Sequence, residues 1–229
     1  MLGLARFQGA LASAVTNGRV DHDAQGLLRD LSEAGIAMTA RVRRSWCEGR
    51  ARRAAPLTLS ALPEDQRTAL LSAWVDAGGG TRSFFELEAQ AFLAFIAERL
   101  DDPSHQMTLC RFERAVVRAR LAPWNGFPLV PLDSETILQR SPDADLVMLG
   151  TSVHALLGAL DGSRPWPEMG DAPQSLLVAP GIDGLVREAS DREISLWQAV
   201  GTGVRATDDP PTAQNMLACG ALRAVRVEG

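Results

Sequence analysis

The chain of 229 residues is 46% hydrophobic, enough to bury a core as one large domain or, as its patterning suggests, two smaller ones. A net charge of -5 disfavours a general nucleic-acid binder, even though all 23 basic side chains are arginine. Polar breaks at Arg6 and Gln8 argue against a signal peptide, no apolar run approaches the ~18 residues of a membrane span, and Cys47, Cys110 and Cys219 lie far apart without metal or disulfide spacing, so free thiols in the cytoplasm are expected.

Residues 2–15 place Leu4, Phe7, Leu11 and Val15 on one helical stripe, predicting a short opening helix. His22 stands between Asp21 and Asp23, but adjacent side chains diverge, so this reads as a surface loop rather than a metal site. Residues 26–53 are helical in pattern, with a break expected at Gly35. Their second half carries Arg41, Arg43, Arg44, Arg50, Arg52 and Arg53 around Trp46, which reads as a solvated face, internal or intersubunit carboxylate pairing, or a contact for a phosphate backbone or an acidic protein face. A helix entered through Pro63 and Glu64 ends at Gly78, Gly79 and Gly80, a flexible loop without a phosphate-binding motif.

The strongest helical pattern spans residues 83–100, where Ser83 and Glu86 have capping-box spacing and Phe84, Phe85, Leu87, Ala91, Phe92, Phe95 and Ile96 form a wide apolar face. Ser104 opens a second helix to Leu121, and the two are expected to pair antiparallel. Glu88 and Glu113 both fall on apolar faces. Paired acids can do acid–base work, but no E-x-x-H, metal set or nucleophile accompanies them, so structural pairing with an arginine or a backbone amide is the better reading.

Residues 123–128, with Pro123, Trp124, Gly126 and Pro128, break the composition and suggest a boundary between a helical domain at 1–122 and a mixed domain at 129–229. Ile137 with Leu138, and residues 146–149, look like strands around a turn at Ser141 and Pro142. Residues 153–160 form a short buried element in which the lone His154 is expected to be structural. Residues 175–179 and 185–189 read as a hairpin about Pro180, Gly181 and Gly184. Ser190 and Glu193 make a capping box for a helix that buries Ile194, Trp197 and Val200 and ends near Gly201 and Gly203. A further helix after Pro210 and Pro211 would carry Met216, Leu217 and Leu222 against the hairpin, with its end marked by Gly220 and residues 224–227 returning as an edge strand. The predicted class is therefore α+β, with a helical first half and a winged-helix-like second half.

Residues 83–120 together with 176–190 resemble the MbnC and TglI type of protein, and the TglI side of that family most. These are small partner subunits of multinuclear non-haem iron enzymes of the MbnB and TglH type, which modify ribosomally made peptides. The resemblance implies a non-catalytic subunit of a heterodimer in RiPP natural-product biosynthesis. It would bind the leader of a precursor peptide and present it for cysteine modification, as in 3-thiaglutamate formation, with the iron held by the partner and no cofactor in this chain. It implies a RiPP recognition element in the second half, gripping an extended leader at a strand edge through Leu185, Val186 and Arg187 and at a helix through Gln214, Leu217 and Ala218. Docking on the iron enzyme is assigned to Arg41, Arg43, Arg44 and Trp46, or to the outer faces of the two strong helices, and neither nucleic acid nor membrane is an expected partner.

The competing reading from the residues is a winged-helix DNA-binding regulator. Its recognition helix would lie at residues 211–222, which contain no basic side chain, and residues 183–229 carry seven acids against five arginines. A stand-alone enzyme built on Glu88 and Glu113 is the other rival, and the absence of a nucleophile motif argues against it.

Overall fold

A computed structural model describes residues 2–124, 126, 132, 136–200 and 209–226. The chain is α+β: among the described residues, seven helices lead into two small antiparallel sheets interleaved with three more helices. The first part runs through α1 (Leu2–Asn17), α2 (Gln25–Leu28), α3 (Glu33–Ala54), α4 (Pro56–Ser60), α5 (Glu64–Asp76), α6 (Phe85–Ala97) and α7 (His105–Leu121). It continues with β1 (Thr136–Arg140), β2 (Asp145–Leu149), α8 (Val153–Leu160), β3 (Gln174–Val178), β4 (Val186–Glu188), α9 (Asp191–Val200), α10 (Pro210–Ala218) and β5 (Leu222–Arg226).

Helix starts follow local chemistry where a side chain can reach its own backbone. Ser104 accepts from the Met107 amide at 3.0 Å to open α7, and Asp209 precedes the two prolines that begin α10, whose missing amides cost nothing at those positions. Two expected starts fall elsewhere. The break anticipated at Gly35 lies at Ser32, whose hydroxyl caps α3 by accepting from the Gly35 amide at 2.9 Å. The capping box expected from Ser83 and Glu86 does not form, because the chain enters α6 one residue later, through Phe84, which offers no side-chain acceptor.

Among the described residues, four apolar clusters hold the fold together. The first joins α3, α4, α5, α6 and Cys110 of α7 around Phe92, Leu93 and Ile96, with Trp74 tilted against Phe92 at 5.3 Å. A small one binds α1 to α3 through Ala14, Leu28 and Ile36, with Phe7 and Leu11 packed on it and Leu4 left exposed. The other two cover the opposite faces of a three-stranded sheet ordered β2–β3–β4. Val147 and Leu149 of β2 and Leu176 and Val178 of β3 pack on Ala115 and Ala119 of α7 and Leu156 of α8. Leu177 faces the other way, into the cluster of Trp197, Val200, Met216 and Leu222. Small alanines on α7 let the helix lie close against the strands, so the sheet is sandwiched and its core begins before residue 122.

The expected hairpin is present, with Leu177 opposite Arg187 and Val178 opposite Val186. Leu185 is not part of its strand. It ends a 3₁₀ turn with φ 69°, a left-handed conformation that is costly for a branched side chain. Leu222, expected on the last helix, lies in β5, because Gly220 (φ 76°) turns the chain out of α10. That strand pairs with β1, Arg140 opposite Leu222, rather than with the hairpin. His154 is exposed on α8 instead of filling a buried structural role, and the region about His22 is a solvent-facing 3₁₀ turn. Gly201, Gly203 and residue 227 lie outside the described residues.

Candidate functional site

Of the leader-binding residues inferred above, Val186 and Arg187 fall on β4, Leu185 on the 3₁₀ turn before it, and Gln214, Leu217 and Ala218 on α10. The β4 strand bonds β3 on one side; among the described residues no strand pairs with its other side, where the Glu188 carbonyl accepts from the Arg187 guanidinium at 3.0 Å. Val186 is half-buried against the α7-facing cluster, whereas Arg187 emerges on the opposite face. There its guanidinium grips Glu193 of α9 with two hydrogen bonds, one of 2.8 Å from Nη1 to Oε2 and one from Nη2 to Oε1. Glu193 also completes the capping box predicted from the sequence, accepting from the Ser190 amide at 3.0 Å while the Ser190 hydroxyl accepts from its own amide at 3.4 Å. One buried carboxylate thus starts α9 and fixes the edge strand to it. The Arg187 guanidinium holds the Glu193 carboxyl far below its ordinary value, at about 2, and Glu193 in turn raises the pKa of Arg187.

The end of α10 closes on this point. The Cys219 carbonyl accepts from the Gly181 amide at 3.0 Å, and the Cys219 thiol, pushed up by burial, sits in the field of Arg187. Gly181 has no room for a side chain: a Cβ there would enter the ring of Trp124. Along α10, Gln214 and Ala218 are exposed, while Leu217 is half-buried and packs on the Trp197 and Met216 cluster. Leu217 is therefore part of the support of the surface as well as a candidate contact.

The docking residues on α3 divide. Arg44 is spent inside the chain, donating to Asp76 at 2.9 Å and to Glu48 at 3.1 Å. Arg41 is exposed, Arg43 is half-buried, and Trp46 is 60% exposed. The sequence reading missed Met38 and Val42, exposed at 54% and 56% and spaced four apart with Trp46 along one stripe. With Arg41, Gly49 and Arg53 they line an open groove of about 580 Å³. The signal was the i, i+4, i+8 apolar spacing, hidden among the arginines.

Glu88 and Glu113 are buried, and backbone amides occupy both. Glu88 accepts from Gly80 at 2.5 Å and Arg82 at 2.8 Å, tying down the glycine loop; Gly80 itself has φ 83° and packs too closely on Cys47 for any Cβ. Glu113 accepts from the Leu57 and Thr58 amides at 2.7 and 3.1 Å and from the Thr58 hydroxyl at 2.5 Å, which caps the start of α4. Burial raises the Glu113 pKa and these donors oppose the rise. Among the described residues no three His, Cys, Asp or Glu side chains gather as a metal-holding group, and no helix is long and apolar enough to cross a membrane. No protein-family model matches the chain, and a search of curated proteins found no match.

Proposed function

We propose that this chain is a non-catalytic recognition subunit in RiPP biosynthesis, which binds the leader of a precursor peptide and presents it to an MbnB/TglH-type enzyme that holds the iron. The observation that carries the reading is the unpaired β4 edge beside α10. An extended peptide gains backbone hydrogen bonds there, while Val186 and the exposed side of α10 supply side-chain contacts. The order of hairpin, α9 and α10 supports a winged-helix-like, RiPP-recognition-element reading of residues 129–229. The lock between Arg187 and Glu193 supports a preformed edge, which spares the complex part of the ordering cost of binding. Docking on the iron enzyme is assigned to the Met38, Val42 and Trp46 stripe with Arg41, since a wide aromatic flanked by arginine is a common interface anchor.

Coexpression with a TglH-type enzyme and its precursor peptide tests the whole reading. A ternary complex should elute from a sizing column, and Ala218→Glu should release the peptide while leaving the two proteins together. Elution of this chain alone, with retention of double-stranded DNA at moderate salt, would overturn it in favour of a regulator.

A further inference from the structure

The three-stranded sheet has a second edge, β2, whose inner side bonds β3 from Asp145 opposite Val178 to Leu149 opposite Gln174. Among the described residues, no backbone hydrogen bond outside that ladder involves residues 145–149. The outer amides and carbonyls of β2 are therefore open, and α7 overhangs them. Ala115 and Ala119 pack down on Val147 and Leu149, and Arg111, Arg114 and Arg118 line a groove of about 440 Å³ with residues 145–148.

The three arginines form one stripe along α7, at spacings of three and four. The outer two are engaged at its ends: Arg111 donates to Asp102 at 2.5 Å and Arg118 to Asp145 at 2.6 Å. Arg114, between them, is exposed and makes no ion pair among the described residues. A molecule with net charge -5 thus keeps a positive row beside an open strand edge, with an uncommitted guanidinium at its centre.

We infer that this groove takes an extended acidic peptide as a fourth strand on the β2 edge, a site separate from the β4 edge and independent of the leader-binding reading. The alternation of β2 fixes the register of chemistry. Asp145, Val147 and Leu149 face α7, while Leu146 and Met148 face the other way, and Met148 is 61% exposed. An added strand alternates likewise, presenting carboxylates to the arginine row and apolar side chains beside Met148. The dimensions agree: the row from 111 to 118 rises ~10.5 Å on a helix. Same-face residues of a strand are ~6.8 Å apart, so two carboxylates fit along the row with Arg114 between them. A peptide suits the site better than a phosphate polymer, because the open backbone groups of β2 match a peptide backbone.

The test uses a fluorescein-labelled nonapeptide alternating glutamate and valine, titrated with the full chain at low salt and followed by anisotropy. Saturable binding is expected, weakened at least tenfold by Arg114→Glu and less by Arg114→Gln, with the fold of both variants checked by circular dichroism. A peptide with lysine for glutamate, and one N-methylated at alternate amides, should not bind. Ala218→Glu, on the other edge, should leave the affinity unchanged. Equal binding of the N-methylated peptide would show a simple anion site and overturn the strand proposal. So would unchanged affinity in Arg114→Glu, loss of binding in Ala218→Glu alone, or displacement of the peptide by equimolar double-stranded DNA.

Discussion

Glu88 and Glu113 show how far spacing alone carries and where it stops. Their burial was legible, because each lies three or four residues from apolar neighbours on its own helix. The partners of Glu113 were not, since its amides lie 55 and 56 residues away and belong to a five-residue helix that propensity does not announce. The capping box of Ser190 and Glu193 was legible because both members are local, yet its second duty toward Arg187 was not. Replacing Glu113 by glutamine leaves one amide donor facing an NH₂ group, so Glu113→Gln should lose about 2–3 kcal/mol of stability in urea titration. Glu193 predicts a pH dependence. Its folded pKa is lowered from 4.5 to about 2, so its contribution is complete above pH 4.5 and fades as pH falls towards 2. The stability gap between wild type and Glu193→Gln should therefore be widest near neutral pH and narrow steadily below 4.5; a gap that widens in acid would contradict the assignment.

Among the elements, α3 separates residues that serve the chain from residues available to a partner. Arg44 bridges α3 to Asp76 at the end of α5, so Arg44→Glu sets three carboxylates together and should destabilise the isolated chain by about 1 kcal/mol or more. Trp46 lies on the open side, and Trp46→Glu should change stability by less than about 0.5 kcal/mol. It should nevertheless weaken the complex with a TglH-type enzyme at least tenfold, measured by calorimetric titration. The turn about Pro180 and Gly184 and the prolines that open α10 made the hairpin and that helix readable. The end of α10 was legible at Gly220, whose left-handed turn closes the helix, and only Leu222, counted with the helix's apolar positions, belongs to β5 instead. The β1–β5 pairing had no local signal, since no turn joins those strands.

At the scale of the molecule, the break in composition after residue 122 does not coincide with a break in packing. Ala115 and Ala119 of α7 are buried against Val147, Leu176 and Val178, and His105 at the start of α7 hydrogen-bonds the Pro167 carbonyl at 2.8 Å. A fragment of residues 1–122 should therefore bind a fluorescent apolar dye through the bared face of α7 and unfold at lower urea than the whole chain. Matching midpoints without dye binding would show that α7 does not need the sheet. The same topology orders the events of folding. Helices α6 and α7, joined by a short link, and the β3–β4 hairpin close small loops and form early, whereas Arg140 must find Leu222 across most of the second half of the chain. Until it does, the cluster on the Leu177 face, which α9 and α10 also cover, lacks Leu138 and Leu222, and a chaperone or a second unfinished chain competes with β5 for those contacts.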